Sequence, residues 1–461
     1  MNLTFKQPSS FHKYTSFFSN TLITNTLLLA ATGVLCRIIG FFFRIYMSRT
    51  FGAENIGIYQ LISPIMALAY SLTVSGFQTA ISKLVASEQI LHRDSGRFIF
   101  SVGCLCVLGL SCLISYFVYT HAPFLATHFL LEARTTALLK VLSLSFPLSG
   151  IHGCINGYFY GKKNTAFPSI TQLVEQSFRV FSVYILCSYF YQGTDFPPIS
   201  YAVTGIVLGE AIACIVSLCY LGLHEAKDVP NLSDTRSSHS TLVFQLFLLA
   251  LPLSASRTTQ NVLQSLEAIA LPDRLRLYGL DNATALSHYG ILTGMVLPLI
   301  LFPTAITNSL SLTLMPEIAQ AQALHQKQKI QSAFHKSITL CFLVGFSFTG
   351  LLFLFSVPIS TFIFKEPLCT NYIRTICFMC PFLYCNATLS SIMHGLGKTV
   401  FSFLINVTTL ILRLFLTYLY VPVLGMQGYL LILLISQILL FLLQLWVLSK
   451  ALFTEKSISR Y

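Results

Sequence analysis

LITNTLLLAATGVLCRIIGFFFRIY (residues 22–46) is apolar over a length that can cross a bilayer, yet it carries Arg37 and Arg44. A membrane helix takes about 20 such residues. Gly33, Arg37, Gly40 and Arg44 recur at i, i+4, i+7 and i+11, so they share one face of that helix. Glycine lets a neighbour come close, and each arginine projects from the same strip. A guanidinium at mid-bilayer costs ~2.5 kcal/mol or more. Such a residue is retained where a partner or a wet cavity meets it. The run is too long and too basic for a cleaved leader, and it lacks a small-residue cleavage pattern.

Eleven more apolar runs follow, near 57–82, 98–118, 137–158, 168–191, 199–223, 242–270, 289–314, 337–357, 371–393, 400–421 and 428–449. Their lengths suit helices and exceed the ~10 residues of a barrel strand. The composition agrees: 54% of the 461 residues are hydrophobic and 10% charged, against about 25% charged in soluble domains. A soluble enzyme, a disordered chain and a secreted disulfide scaffold are excluded. The expected fold is an all-α polytopic membrane protein of about twelve spans.

The basic excess, 28 Lys+Arg against 16 Asp+Glu, is mostly an orientation signal. With the N-terminus in the cytoplasm, sixteen basic residues fall inside, among them Lys83, Arg93, Lys162, Lys163, Lys327 and Lys398. Six fall outside, and Arg37, Arg44, Arg179, Arg257, Arg374 and Arg413 lie within or at the edges of runs. Both termini are expected in the cytoplasm, and no nucleic-acid partner is implied.

The polar stretch from Glu225 to Ser240 divides the chain near its middle, giving expected six-helix lobes at 1–235 and 236–461. Pro64 and Thr79 match Pro298 and Thr313 at a common offset of 234 residues, and Gly161-Lys162 resembles Gly397-Lys398. Six runs per half make the halves parallel repeats, an arrangement that places a substrate site between them. A second polar stretch, Glu317 to Lys336, has the composition of a helix lying at the cytoplasmic surface.

In the seventh run, Arg257, Gln260, Asn261, Gln264 and Glu267 fall within an arc of about 120°. Ser71, Ser75, Gln78 and Ser82 form a weaker stripe in the second run, as do Thr304, Thr307, Asn308 and Ser311 in the eighth. Runs 1, 2, 7 and 8 are therefore expected to line one cavity. In the fifth run, Glu175 precedes Arg179 by four residues, the favourable order for a structural ion pair. Glu210 has no evident local partner. His152, His288 and His394 lie at no metal-ligand spacing, and Cys377-x-x-Cys380 lacks a second pair, so no metal site is expected. No phosphate-binding loop is present, and no cofactor is implied.

The stretches CRIIGFFFRIYMSRTFGAENIGIYQLISPIM (36–66), SGFQTAISKLVASE (75–88), INGYFYGKKNTAFPSITQLVEQSFR (155–179) and YGILTGMVLPLILFPTAITNSLSLTLMPEIAQ (289–320) resemble the stage V sporulation protein B-like polysaccharide exporters. These belong to the MOP superfamily, with lipid II flippases and MATE drug exporters. The resemblance implies two six-helix lobes around a central cavity in a bacterial cytoplasmic membrane. It implies a lipid-linked oligosaccharide as substrate, and cell-envelope synthesis enzymes as neighbours. Arg37 and Arg44 match the R-x-x-G-F-x-x-R pattern of the lipid II flippase branch, where first-span arginines line the cavity. That branch has fourteen spans; the present reading finds twelve.

The expected function is a non-enzymatic flippase for a polyprenyl-pyrophosphate-linked saccharide. Arg37, Arg44 and Arg257 would engage the pyrophosphate, since Arg is permanently charged and presents a planar fork of donors. Gln78, Asn261 and Gln264 would contact sugar, and Glu267 would couple an ion. A cation-coupled drug exporter is the alternative, but its acidic pocket is missing from the first run. A non-transporting membrane scaffold for envelope or spore-coat assembly is the third reading.

Overall fold

The computed structural model describes residues 10–90, 95–191, 193, 197–225 and 239–454. Among them the chain is helical throughout, with no strand. Among the described residues nine helices are long and apolar enough to cross a membrane, so the protein is an all-α polytopic membrane protein. The count differs from twelve for physical reasons. Two of the nine continue through a glycine with non-helical torsions, Gly52 (φ 77°) in Ser10–Leu61 and Gly425 (φ 60°) in Thr399–Ser449. A side chain at either position would be strained in that left-handed conformation. Helix Ala166–Tyr189, which carries Gln172, Glu175, Gln176 and Arg179, is not among the nine.

Large apolar side chains face outward, as a lipid-facing surface requires: Phe244, Phe346 and Phe415 are 66%, 62% and 58% exposed. The interior holds two apolar cores. The larger draws on most helices, and the smaller packs Val74, Phe77 and Ile81 of the second run against Leu246 and Ala250 of the seventh.

The backbone carries the repeat further than the sequence did. Helix Gly96–Thr120 is followed by Ala122–Phe124, a π-helical segment Leu125–Phe129, and Leu131 at φ 56°. Helix Lys327–Leu354 is followed by Ser356–Pro358, a π-helical segment Ile359–Phe364, and Lys365 at φ 57°. The starts at 122 and 356, 125 and 359, and 131 and 365 are each 234 apart. The same offset relates the helix ends Gly161 and Gly395, and the positive-φ residues Lys163 and Gly397. Gly161 therefore corresponds to Gly395 rather than Gly397, and Arg179 corresponds to Arg413. The proposed boundary at 235/236 lies outside the described residues.

The stretch Glu317 to Lys336 is not a separate surface helix. It is shared by the end of Thr304–Ala323 and the start of Lys327–Leu354, which turn at His325 with φ 55°.

The halves meet along two seams. Helix Ser10–Leu61 packs on Asn282–Gly290 and Ile291–Val296, while His239–Leu277 packs on Ser63–Tyr70, Ser71–Ser75 and Gly76–Ile90. First meets eighth, and second meets seventh. On the first seam a methyl at Gly57 would lie 2.1 Å from the Leu286 oxygen, and one at Gly290 would lie 2.2 Å from the Ala53 oxygen. The two backbones touch there, as small residues permit in membrane helices. Further along the same helix, a methyl at Gly33 or Gly40 would meet nothing within 4 Å. The seam is a wedge, closed at Gly57 and open toward Gly33.

Candidate substrate site

The arginines of the first run point into this wedge. Arg37 NH1 donates to the Leu301 carbonyl at 2.8 Å and to the Thr304 hydroxyl. Seven residues, about two turns, further on, Arg44 has among the described residues a single hydrogen bond, from NH1 to the Thr293 carbonyl at 3.5 Å. That length is the outer limit of a useful bond. A guanidinium carries five donors, so most of Arg44's capacity is unused.

Arg44 also stands between two cavities. One, of about 320 Å³, is lined by Arg37, Arg44 and the apolar Phe41, Leu297, Leu301 and Phe302. The other, of about 160 Å³, is lined by Arg44, Tyr59, Gln60, Gln176 and Arg179. Arg179 reaches it from the fifth run while ion-paired with Glu175 across one turn. The arrangement offers charged donors beside an apolar wall, suited to a ligand with an anionic head and a hydrocarbon tail.

The seventh-run residues lie on the other seam. Arg257 NH1 donates to the Ser75 carbonyl at 3.0 Å, Thr258 to the Ser71 hydroxyl at 3.2 Å, and Asn261 Nδ2 to the Ala67 carbonyl at 3.1 Å. Gln264 is exposed. Runs 1 and 8 thus present their polar faces on one seam between the halves, and runs 2 and 7 on the other. Gln78 accepts from Tyr70 at 3.0 Å and faces a third cavity, of about 200 Å³, with His152, Glu175 and Glu210. That cluster was hidden in the sequence because its members come from three helices. Glu267 is 4% exposed, with one carboxylate oxygen accepting from Tyr429 at 2.8 Å and the other from Arg413. Neither oxygen is free for an ion in this conformation.

Polar latches hold the closed end of the wedge. Arg49 Nε donates to the Ile363 carbonyl at 2.9 Å, and Ser48 to the Phe364 carbonyl at 3.3 Å. Arg134 bonds Glu54 and Glu132, both at 2.7 Å, and Asn282 of the second half donates to Glu132 at 2.7 Å. Burial pushes the Glu132 carboxyl up, but hydrogen bonds from Arg134 and Asn282 outweigh it and hold it below the usual range. Its stabilising contribution is therefore complete above the ordinary glutamate value of about 4.3 and is lost as pH falls through the depressed native value. Glu132→Gln should lower stability in detergent by about 1 kcal/mol at pH 7. The difference from the parent should shrink as pH falls through the depressed native value, read by thermal unfolding across pH.

The family model described as polysaccharide biosynthesis protein matches residues 22–322. The chain belongs to that family. A model described as MatE matches residues 274–419. Stage V sporulation protein B of Bacillus subtilis (strain 168) is 28% identical over 395 residues, covering 82% of this chain and 73% of that one. In fold, an inward-facing multidrug resistance MATE transporter of the MOP superfamily superposes with TM-score 0.69 at 14% identity, covering 94% of this chain and all of that one. Lipid II flippase MurJ in an inward closed conformation also gives 0.69, at 13% identity, covering 92% and 87%. The chain thus belongs to a polysaccharide biosynthesis family and shares its fold with MATE transporters and with lipid II flippase MurJ.

Proposed function

We propose that the protein flips a polyprenyl-pyrophosphate-linked saccharide across a bacterial cytoplasmic membrane by alternating access, with both termini in the cytoplasm. The observation that carries this reading is Arg44, a guanidinium with one marginal hydrogen bond, set between two cavities that also hold Arg37 and Arg179. Pyrophosphate would take the unused donors, with bidentate geometry favouring arginine. The tail would lie along Phe41, Leu297, Leu301 and Phe302, where the wedge opens toward lipid. The sugar would meet Gln60 and Gln176. The two lobes, 1–235 and 236–461, would rock about the seams. Asn261 would reach substrate when the second seam parts, and Arg257 and Gln264 from their exposed positions. The names of the relatives support this reading, through polysaccharide biosynthesis and, in one structure, lipid II.

Glu267 is better placed as a structural partner of Arg413 than as the ion-coupling group. A membrane potential acting on the substrate's charge would then supply the drive, at ~2.3 kcal/mol per charge per 100 mV.

The test is flipping of fluorescent polyprenyl-pyrophosphate saccharides by the purified protein in liposomes, with and without a potential. Protein-dependent flipping is expected for at least one saccharide and should respond to the potential. Failure across a panel of such lipids, with export of a cationic dye instead, would return the reading to a drug exporter.

A further inference from the structure

We propose that His152, Glu175 and Glu210 bind a divalent first-row transition metal ion, and that its binding is coupled to anion binding at Arg44. The three side chains come from helices Ser145–Gly161, Ala166–Tyr189 and Ser200–Glu225. One ligand atom from each lies within 4.8 Å of the others. An imidazole with two carboxylates is a donor set suited to zinc, manganese or cobalt.

Three observations lift the cluster above a group of buried acids. The His152 ring is 6% exposed, and its Nδ1 faces Glu210 Oε2 at 3.5 Å. That is long for a hydrogen bond, but two ligands on one ion with bonds of about 2.1 Å lie about 3.4 Å apart. Glu210 Oε2 is buried and has no hydrogen-bond partner among the described residues. Finally, the Asn156 amide sits behind the other ring nitrogen, with Nδ2 2.9 Å from Nε2 and Oδ1 accepting from Thr171 at 3.4 Å, so the amide must turn over to accept from Nε2–H. With its carbonyl turned to that nitrogen it would fix the tautomer that leaves Nδ1 for the metal, as partners behind metal-bound histidines do. The adjoining cavity of about 200 Å³ leaves space for water or Gln172 to complete the coordination.

The coupling follows from charge. Glu175 is now neutralised by Arg179. A dication with neutral His152 and both carboxylates is balanced without Arg179. The released guanidinium already lines the cavity beside Arg44, where it would stand as an unbalanced positive charge. An anion there would compensate it, so each ligand should strengthen the other. This second step rests on the anion reading of the Arg44 cavity; the metal site does not.

The experiment uses the purified full chain in detergent. Equilibrium dialysis with Zn²⁺, and the absorption bands of Co²⁺, should show one saturable ion per chain. Glu210→Gln and His152→Gln should each weaken binding tenfold or more, and Glu210→Asp less, with unchanged metal-free melting for the Asp variant. No saturable binding, or equal binding by parent and all three variants, overturns the site. In a second arm, sulfate affinity should rise at least fivefold with metal bound, and that rise should be lost in Arg179→Gln. Metal binding with sulfate affinity unchanged overturns the coupling alone. Absence of sulfate binding in either state overturns the anion reading and leaves the metal site standing.

Discussion

Replacing Arg37 and Arg44 together by glutamine is expected to lower the flipping rate about a hundredfold or more, with normal amounts of protein in the membrane. The magnitude follows from the bonds at stake. A hydrogen bond to a charged group contributes about 1.5–3 kcal/mol, and each 1.4 kcal/mol is tenfold. Stability should change little at Arg44, because its one bond within the fold is marginal. Arg37 has two acceptors on the eighth run, so Arg37→Gln alone should also loosen the wedge. Lysine at 44 keeps the charge but not the fork of donors, and should recover part of the rate. The same liposome assay checks all three variants. Unimpaired flipping by the double variant would remove these arginines from the substrate path, and intact biological function without any flipping would favour a scaffold.

Arg413→Leu is expected to be the most destabilising single substitution, by about 3–5 kcal/mol. It strands the Glu267 carboxylate, 4% exposed, with only Tyr429 as a donor. The cost lies in the uncompensated charge rather than in the lost pair, so adding Glu267→Gln to the same chain should restore most of the stability. Thermal unfolding of the two variants beside the parent decides the matter. A double variant as unstable as Arg413→Leu would mean that packing around the guanidinium, not its charge, holds these helices together.

How much of this was legible in the sequence depended on whether the partner lay on the same helix. The membrane helices were readable because bilayer thickness sets their length directly. The Glu175–Arg179 pair was readable because four residues make one turn. The polar stripe of the seventh run left Glu267 open to an arginine partner or an ion, and the arginine that meets it, Arg413, lies 146 residues away in sequence. The cluster of His152 with Glu175 and Glu210 was hidden for the same reason. The polar stripes were readable one helix at a time, whereas the pairing of run 1 with run 8 and of run 2 with run 7 shows only in the contacts. A helical arc shows which side of a helix is polar, and it cannot tell which neighbour that side meets.

Arg179 and Arg413 occupy corresponding places in the two halves, 234 residues apart, but their acids do not. The first half neutralises its arginine from within one helix, the second from another helix, since Gly33 stands where Glu267 would correspond. An intrahelical pair can break and re-form by rotation of side chains alone. An interhelical pair is a cross-brace that links His239–Leu277 to Thr399–Ser449. A doubled scaffold has thereby become mechanically lopsided. The arginine of the second half ties two helices together, and that of the first half is free to exchange its partner within one helix.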